Sequence, residues 1–218
     1  MPATEVPLLR SALLRVLDLA SLLPLWRSRR LLVGMLAREL RRSYIGSAAG
    51  WFWLVFRPLV TAAAYFFVFD TIFAVRFDRH LIGTENYAVY LLSGLLPWLA
   101  FVDGVVQGGQ SLVRNGGLIK KTRFPLELIP AEVVLGGAVR NLPFVLLLAL
   151  GHAAMGFASW LGLLYLLPWM VLQMALTYYL GLVAAVLTAA LRDIGHLLQS
   201  SFGLLIFLAP ILYPLQRV

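Results

Sequence analysis

The chain of 218 residues has no cysteine. Disulfides, thiolate metal sites and a thiol nucleophile are therefore excluded. Charge is scarce too: 13% of the residues are Asp, Glu, Lys or Arg, and 10 acids face 18 bases. A soluble domain carries about one quarter charged residues. No G-x-x-x-x-G-K-[ST] segment occurs, so the chain lacks the loop that cradles nucleotide phosphates. His80, His152 and His196 fall in or beside separate loops. Only His196 has an acid at helical spacing, Asp193, and two ligands are too few for zinc. No nucleophile stands beside a base. A cleavable leader is not expected either. Val16–Trp26 is apolar-rich but carries Asp18 and is followed by Arg27, Arg29 and Arg30, the reverse of the signal-peptide charge order.

What remains is apolar. Hydrophobic residues make up 61% of the chain, which reads as one integral membrane domain. The net charge of +8 raises the question of nucleic acid, but the bases cluster at the flanks of apolar runs, as membrane topology requires. Five runs are long enough to cross a bilayer at about 1.5 Å per residue. They cover roughly 48–73, 87–112, 132–157, 161–191 and 197–213. The fourth is longer than one span needs, so it must tilt, kink at Pro168 or begin at the interface. The predicted fold is all-α and polytopic, with about five transmembrane helices after an N-terminal interfacial helix.

That interfacial helix lies within residues 1–47, which hold eight of the 18 bases. At 100° per residue, Leu32, Val33, Leu36, Leu40 and Tyr44 share one arc and Arg38, Arg41 and Arg42 the opposite one, while Leu31, Met35 and Ile45 break the pattern. Such a helix suits the headgroup layer. A second basic segment, 113–127, carries Arg114, Lys120, Lys121 and Arg123 between two spans, whereas the 76–86 turn holds Arg76 and Arg79 alone. Positive-inside counting therefore puts the N-terminal segment and the 113–127 loop in the cytosol. Residues 48–218 then form the transmembrane domain. Within it, Gly104 and Gly108, four apart, permit close helix contact. Asp103 and Arg140 lie about 14 and 12 Å from the cytosolic ends of their spans, a matched depth that admits an ion pair. Asp70 and Asp103 are also the candidates for a proton relay.

Several segments recur here in a familiar order. They are Arg42-Ser-Tyr-Ile-Gly-Ser before the first span, Trp53 and Pro58 within it, and Gly94-Leu-Leu-Pro-Trp98 in the second. Leu118-Ile-Lys-Lys-Thr-Arg-Phe-Pro125, Arg192-Asp193 and Pro210-Ile-Leu-Tyr-Pro214 follow. From about residue 30 onward this order resembles the ABC-2 type permeases that export O-antigen, capsule and teichoic acid. The resemblance implies a half-transporter in the bacterial inner membrane that pairs with a second copy of itself. ATP and Mg would belong to a separate ATPase subunit, and the cargo would be a lipid-linked polysaccharide. The resemblance implies six spans and a cytosolic C-terminus, whereas this sequence as read has five and lacks the last. It also assigns ATPase contact to Leu118, Ile119, Lys120, Lys121, Arg123, Phe124 and Pro125 of the loop, and to Arg38, Arg41 and Arg42 of the interfacial helix. Trp51, Trp53, Tyr65, Phe66, Phe69 and Trp98 would line the glycan channel, because sugar rings present flat C–H faces to aromatics. Read one at a time, these aromatics fit lipid packing and interfacial belts better, and only the resemblance favours the channel.

Other classes compete: an ABC-2 exporter of drugs or lipids, an ion-coupled secondary transporter using Asp70 or Asp103, and a membrane enzyme acting on lipid-linked sugars. Matched interrupted spans of the secondary-transporter kind are not evident. No catalytic cluster supports the enzyme. The topology is directly testable, since no native thiol interferes. Among Ser28→Cys, Thr122→Cys and Thr84→Cys, an impermeant reagent on intact cells should label only the last. Labelling at 122 would reverse the orientation.

Overall fold

The computed structural model describes residues 22–44, 52–72, 87–121, 125–154 and 164–211. Every regular element among them is helical. Helix α1 covers Leu22–Arg27, α2 Arg29–Tyr44 and α3 Phe52–Phe66, which continues as a π-helical segment over Phe67–Ile72. Then follow α4 (Tyr87–Arg114), α5 (Gly116–Lys121), α6 (Leu128–Ala154), α7 (Leu166–Ala190) and α8 (Asp193–Leu208). Within α4, α6 and α7, the segments Val89–Arg114, Leu128–Gly151 and Leu166–Ala190 are long and apolar enough to cross a membrane. Helix α8, of 16 residues, is apolar but shorter. The chain is an all-α polytopic membrane protein.

The elements follow the apolar runs, with instructive shifts. The long fourth run resolves as α7 starting at Leu166, which puts Pro168 in its first turn. There the missing N–H has no intrahelical partner to lose, so no kink is needed. The 113–127 loop is partly helical. Asn115 N–H donates to the Ser111 carbonyl (3.1 Å), and the Asn115 carbonyl accepts from Ile119 N–H (3.1 Å). One residue thus closes α4 and opens α5. At Leu191-Arg192 the chain breaks for two residues only, and Asp193 starts α8 where a negative charge complements the helix dipole.

The chain divides into two compact units. The first comprises residues 1–43, 101–138 and 172–201. Its core joins Leu32 and Met35 of α2, Leu112 of α4, Leu128, Ile129, Ala131 and Val134 of α6, and Tyr178, Leu182 and Ala185 of α7. At its centre α4 and α7 cross through small residues. A Cβ added to Gly108 would stand 3.3 Å from the Cα of Gly181, and one added to Gly109 would stand 2.9 Å from Ala184 Cβ. Lipid tails are as apolar as leucine, so helices in a bilayer associate through close van der Waals packing, which small residues allow.

The second unit comprises residues 44–100, 139–171 and 202–218. Tyr87, Leu91 and Leu95 form its core with Tyr90, Ile206 and Ile211. The Tyr90 hydroxyl donates to the Pro210 carbonyl at 2.8 Å, which fixes the turn that ends α8. Trp98 meets Phe202 edge to face, 6.3 Å between centroids.

The crossing yields a compensation test. A Cβ on Gly104 would lie 2.5 Å from Thr177 Cγ2. Thr177 cannot turn away freely, because its hydroxyl donates to the Gln173 carbonyl at 2.7 Å. Gly104→Ala should therefore lower stability in detergent by ~1–3 kcal/mol, the usual cost of overpacking. Adding Thr177→Ser deletes the obstructing methyl and should restore most of the loss. Gly203→Ala, with open space around it, should melt no lower than wild type. Thermal aggregation curves of the purified variants decide the matter.

Candidate docking surface and aromatic wall

Helix α2 is held by Leu32 and Met35, both buried in the core shared with α4, α6 and α7. Val33 is 63% exposed and Leu31 43% exposed. The inward face is thus centred on Leu32 and Met35 rather than on the arc containing Val33. A helical wheel finds apolar residues but cannot separate those that meet protein from those that meet lipid. Arg38 and Arg41 are exposed, and the Arg38 guanidinium donates from Nε to the Gly34 carbonyl at 3.3 Å. Arg42 lies on α2, but its side chain is outside the described residues. Glu132, half-buried on α6, is within electrostatic range of Glu39 and Arg38. Farther out, Arg29 lies over the Trp26 ring, 5.0 Å from its centroid, and Arg27 and Arg30 are exposed.

The second half of the expected docking face lies on α5 and the turn after it. Ile119 is half-buried and packs on the same core as Leu32 and Met35. Leu118, Lys120 and Lys121 share its helix, though their side chains are outside the described residues, as are Arg123 and Phe124 altogether. Pro125 is described: its carbonyl accepts from Leu128 N–H at 3.2 Å, and the Leu126 carbonyl accepts from Ile129 N–H at 3.2 Å. These short bonds turn the chain into α6. One apolar core therefore carries both segments that the sequence analysis grouped, α2 and α5.

The expected channel residues distribute differently. On α3, Trp53 is 47% exposed and meets Phe52 and Phe56 edge on, at 6.1 and 5.6 Å. Phe52 and Phe56 stack at 4.9 Å. Tyr65 and Phe66 lie on α3 and Phe69 on the π-helical segment, with side chains outside the described residues; Trp51 is outside them entirely. Trp98 is half-buried on α4 against Phe202, whose part the sequence did not announce. Asp103 is exposed and falls in the first unit, whereas Arg140 is half-buried and falls in the second. The side chain of Asp70 is outside the described residues. Among the described residues no group of three or more His, Asp or Glu could hold a metal ion.

Sequence reading also missed the α7 half of the small-residue crossing. Thr177, Gly181 and Ala185 recur every four residues and all three are buried, a small-residue repeat that mirrors Gly104 and Gly108 on α4.

The model of the ABC-2 type transporter family matches residues 30–218. The chain belongs to that family. Among its curated relatives is the O-antigen export system permease protein RfbA of Myxococcus xanthus, 30% identical over 198 residues. That match covers 89% of this chain and 72% of the relative. Two Klebsiella pneumoniae proteins of the same name are each 27% identical, with 84% of this chain and 68% of each relative covered. The family match takes in α2 from Arg30 onward together with all the later helices, so α5 and the aromatics of α3 and α4 lie inside the ABC-2 region as well.

The attachment of α2 can be tested directly. Met35→Ala removes a buried side chain, a change that costs ~2–5 kcal/mol in a packed core. Amides of α2 should then exchange faster with solvent while those of α7 keep their protection. Val33→Ala, on the exposed side, should leave α2 exchange unchanged. Equal effects of the two variants would mean that lipid or detergent, not the core, holds the helix.

Proposed function

We propose that this ABC-2 chain is the transmembrane permease subunit of an exporter that carries a polysaccharide or glycolipid across the bacterial inner membrane. The observation that carries the proposal is the likeness to three O-antigen export permeases over 84–89% of the chain. Energy comes from ATP hydrolysed on a separate subunit, in keeping with the ABC-2 family match. Two copies of the permease enclose the path. The N-terminus and the 113–127 segment lie in the cytosol, in keeping with their bases. No covalent chemistry occurs on this chain.

In this reading the ATPase docks on the surface formed by α2 and α5. A mechanical input there needs a rigid seat, and Ile119, Leu32 and Met35 supply one by packing on the same core as the α6 and α7 spans. Phe124 is the anchor, since a few buried aromatic residues dominate interface energetics. Lys120, Lys121 and Arg123 orient the approach, each exposed pair contributing ~1 kcal/mol or less. The competing role of these cations is to meet anionic lipid, worth ~1 kcal/mol each near the surface.

Phe124→Ala separates the two roles because it leaves every charge in place. The variant should insert at wild-type levels, lose the co-purifying ATPase and export no surface polysaccharide. Normal ATPase retention and export would remove Phe124 as the anchor. Export of an unrelated lipid or drug by the wild-type assembly, with no polysaccharide moved, would overturn the choice of cargo.

A further inference from the structure

The apolar segment Val89–Arg114 contains two charged residues and two amides: Asp103, Gln107, Gln110 and Arg114. At 100° per residue all four fall within an arc of about 60°, roughly a one-in-fifty coincidence for positions drawn at random. Composition alone does not make this stripe. It occupies only the half of α4 that ends at Arg114. Nearer the other end the same helix presents Leu91, Leu92, Leu95 and Leu96 to protein.

The far end of the stripe adds a second observation. Arg114 is the last residue of α4, where a long cationic side chain normally reaches toward the headgroups and water. Instead its guanidinium turns back along the helix and donates to the Gln107 carbonyl at 2.7 Å. Seven residues of helix are about 10 Å, so the cation is drawn toward the interior of the span. Asp103, four residues beyond Gln107, is exposed, and so is Arg114. The opposite side of the helix is closed by α7 through Gly104 and Gly108. The start of α8 bounds the flank next to Gln110, whose Cγ would lie 3.6 Å from a Cβ on Gly195. What remains is a strip at membrane depth in which the Asp103 acid and the Arg114 guanidinium are exposed and the amides of Gln107 and Gln110 are half-buried. Hydrocarbon does not solvate such groups, so they face water or a polar partner.

We propose that this face of α4 is the hydrated wall along which the exported glycan enters the membrane, with Asp103, Gln107, Gln110 and Arg114 exchanging hydrogen bonds with sugar hydroxyls. The proposal rests on the exporter reading above and adds a polar track to the aromatic surface expected from the sequence. The charge pattern selects the occupant. Cation pathways are lined by acids and anion pathways by bases. Here one acid and one base balance, and two amides add both donors and acceptors. That complement suits a neutral, polyhydroxylated chain, which offers donors and acceptors without net charge. A second copy docked on the same strip by two-fold symmetry would instead bring identical charges together unless the helices slid out of register.

The absence of native thiols allows a direct test in native membranes that hold the full permease–ATPase assembly. Asp103→Cys, Gln107→Cys and Gln110→Cys are made singly. Leu172→Cys and Leu176→Cys serve as references, at exposed apolar positions on α7. A small charged methanethiosulfonate is added to inverted vesicles. The three stripe positions should react on the order of tenfold or more faster than the references, because the reactive thiolate forms readily only in water. In vesicles from cells that make the lipid-linked glycan, reaction at the stripe should be slower than in vesicles from cells lacking the first sugar transferase. If Asp103→Cys fails to fold, the two glutamine positions carry the test. Reaction as slow as the references overturns the wet wall. Disulfide cross-links between two copies at these positions assign the face to a subunit interface. Fast reaction that ignores the glycan removes the sugar as occupant. Polysaccharide export by the unmodified assembly is scored separately, so failure of the exporter reading is distinguished from failure of the wall.

Discussion

The contact on which the first unit depends is made by almost nothing: two glycines, Gly108 and Gly181, whose backbones meet without an intervening side chain. Within a bilayer, burying leucine against leucine gains little over leaving it in lipid, and the gain must come from proximity. The glycines supply that proximity, and the neighbouring contacts follow from it. Thr177 meets Gly104, Ala184 meets Gly109, and Tyr178, Leu182 and Ala185 join the core that receives α6 and α2. On the same helix three hydroxyls, those of Tyr178, Tyr179 and Thr188, are buried without a partner among the described residues.

Three of the five expected spans, those of α4, α6 and α7, were legible in the sequence because hydropathy and length are sufficient evidence for a membrane helix. The second run, read as 87–112, is helix 87–114, and the third, read as 132–157, is helix 128–154. The short helix α5 was not legible. Gly116 and Gly117 lower helix propensity, and what overrides them is the tertiary seat of Ile119 together with the hydrogen bonds at Asn115. Which side of α2 packs on protein was not legible for a related reason. Met35 broke the apolar arc on a wheel, yet it is buried in the core that also holds Leu128 and Ile129, a placement set by tertiary packing and not by the wheel. The Gly104–Gly108 spacing was visible, but its partner on α7 needed the structure, since small residues are frequent in every span.

Scarcity gives the polar residues their meaning. With so few charges, those that remain mark places where the chain leaves the lipid. The arginines of α1 and α2 decorate a helix pair whose apolar side is seated on protein, while Trp26, Leu31 and Val33 face outward beside them. That mixture of cation and aromatic fits the headgroup layer, where an indole and a guanidinium both find favourable surroundings. The acid and amides of α4 occupy the opposite kind of place, deep in a span and on one side of it. A chain can hold both because helices fix side-chain direction by register alone. A stripe spaced alternately four and three residues apart needs no loop or cofactor to hold its groups in line.

The joint at Asn115 has a mechanical meaning. A flexible linker between a surface element and a long span would absorb a displacement before passing it on. Here the joint is one residue long and is bonded on both sides, its N–H to Ser111 and its carbonyl to Ile119, with the Asn115 side-chain amide adding a further bond to Ser111 at 2.9 Å. A load applied to α5 arrives at α4 with no slack to take up. Since α4 and α7 meet at Gly108 and Gly181 through backbone, with no rotamer there to change, that load favours whole helices rolling or sliding on each other.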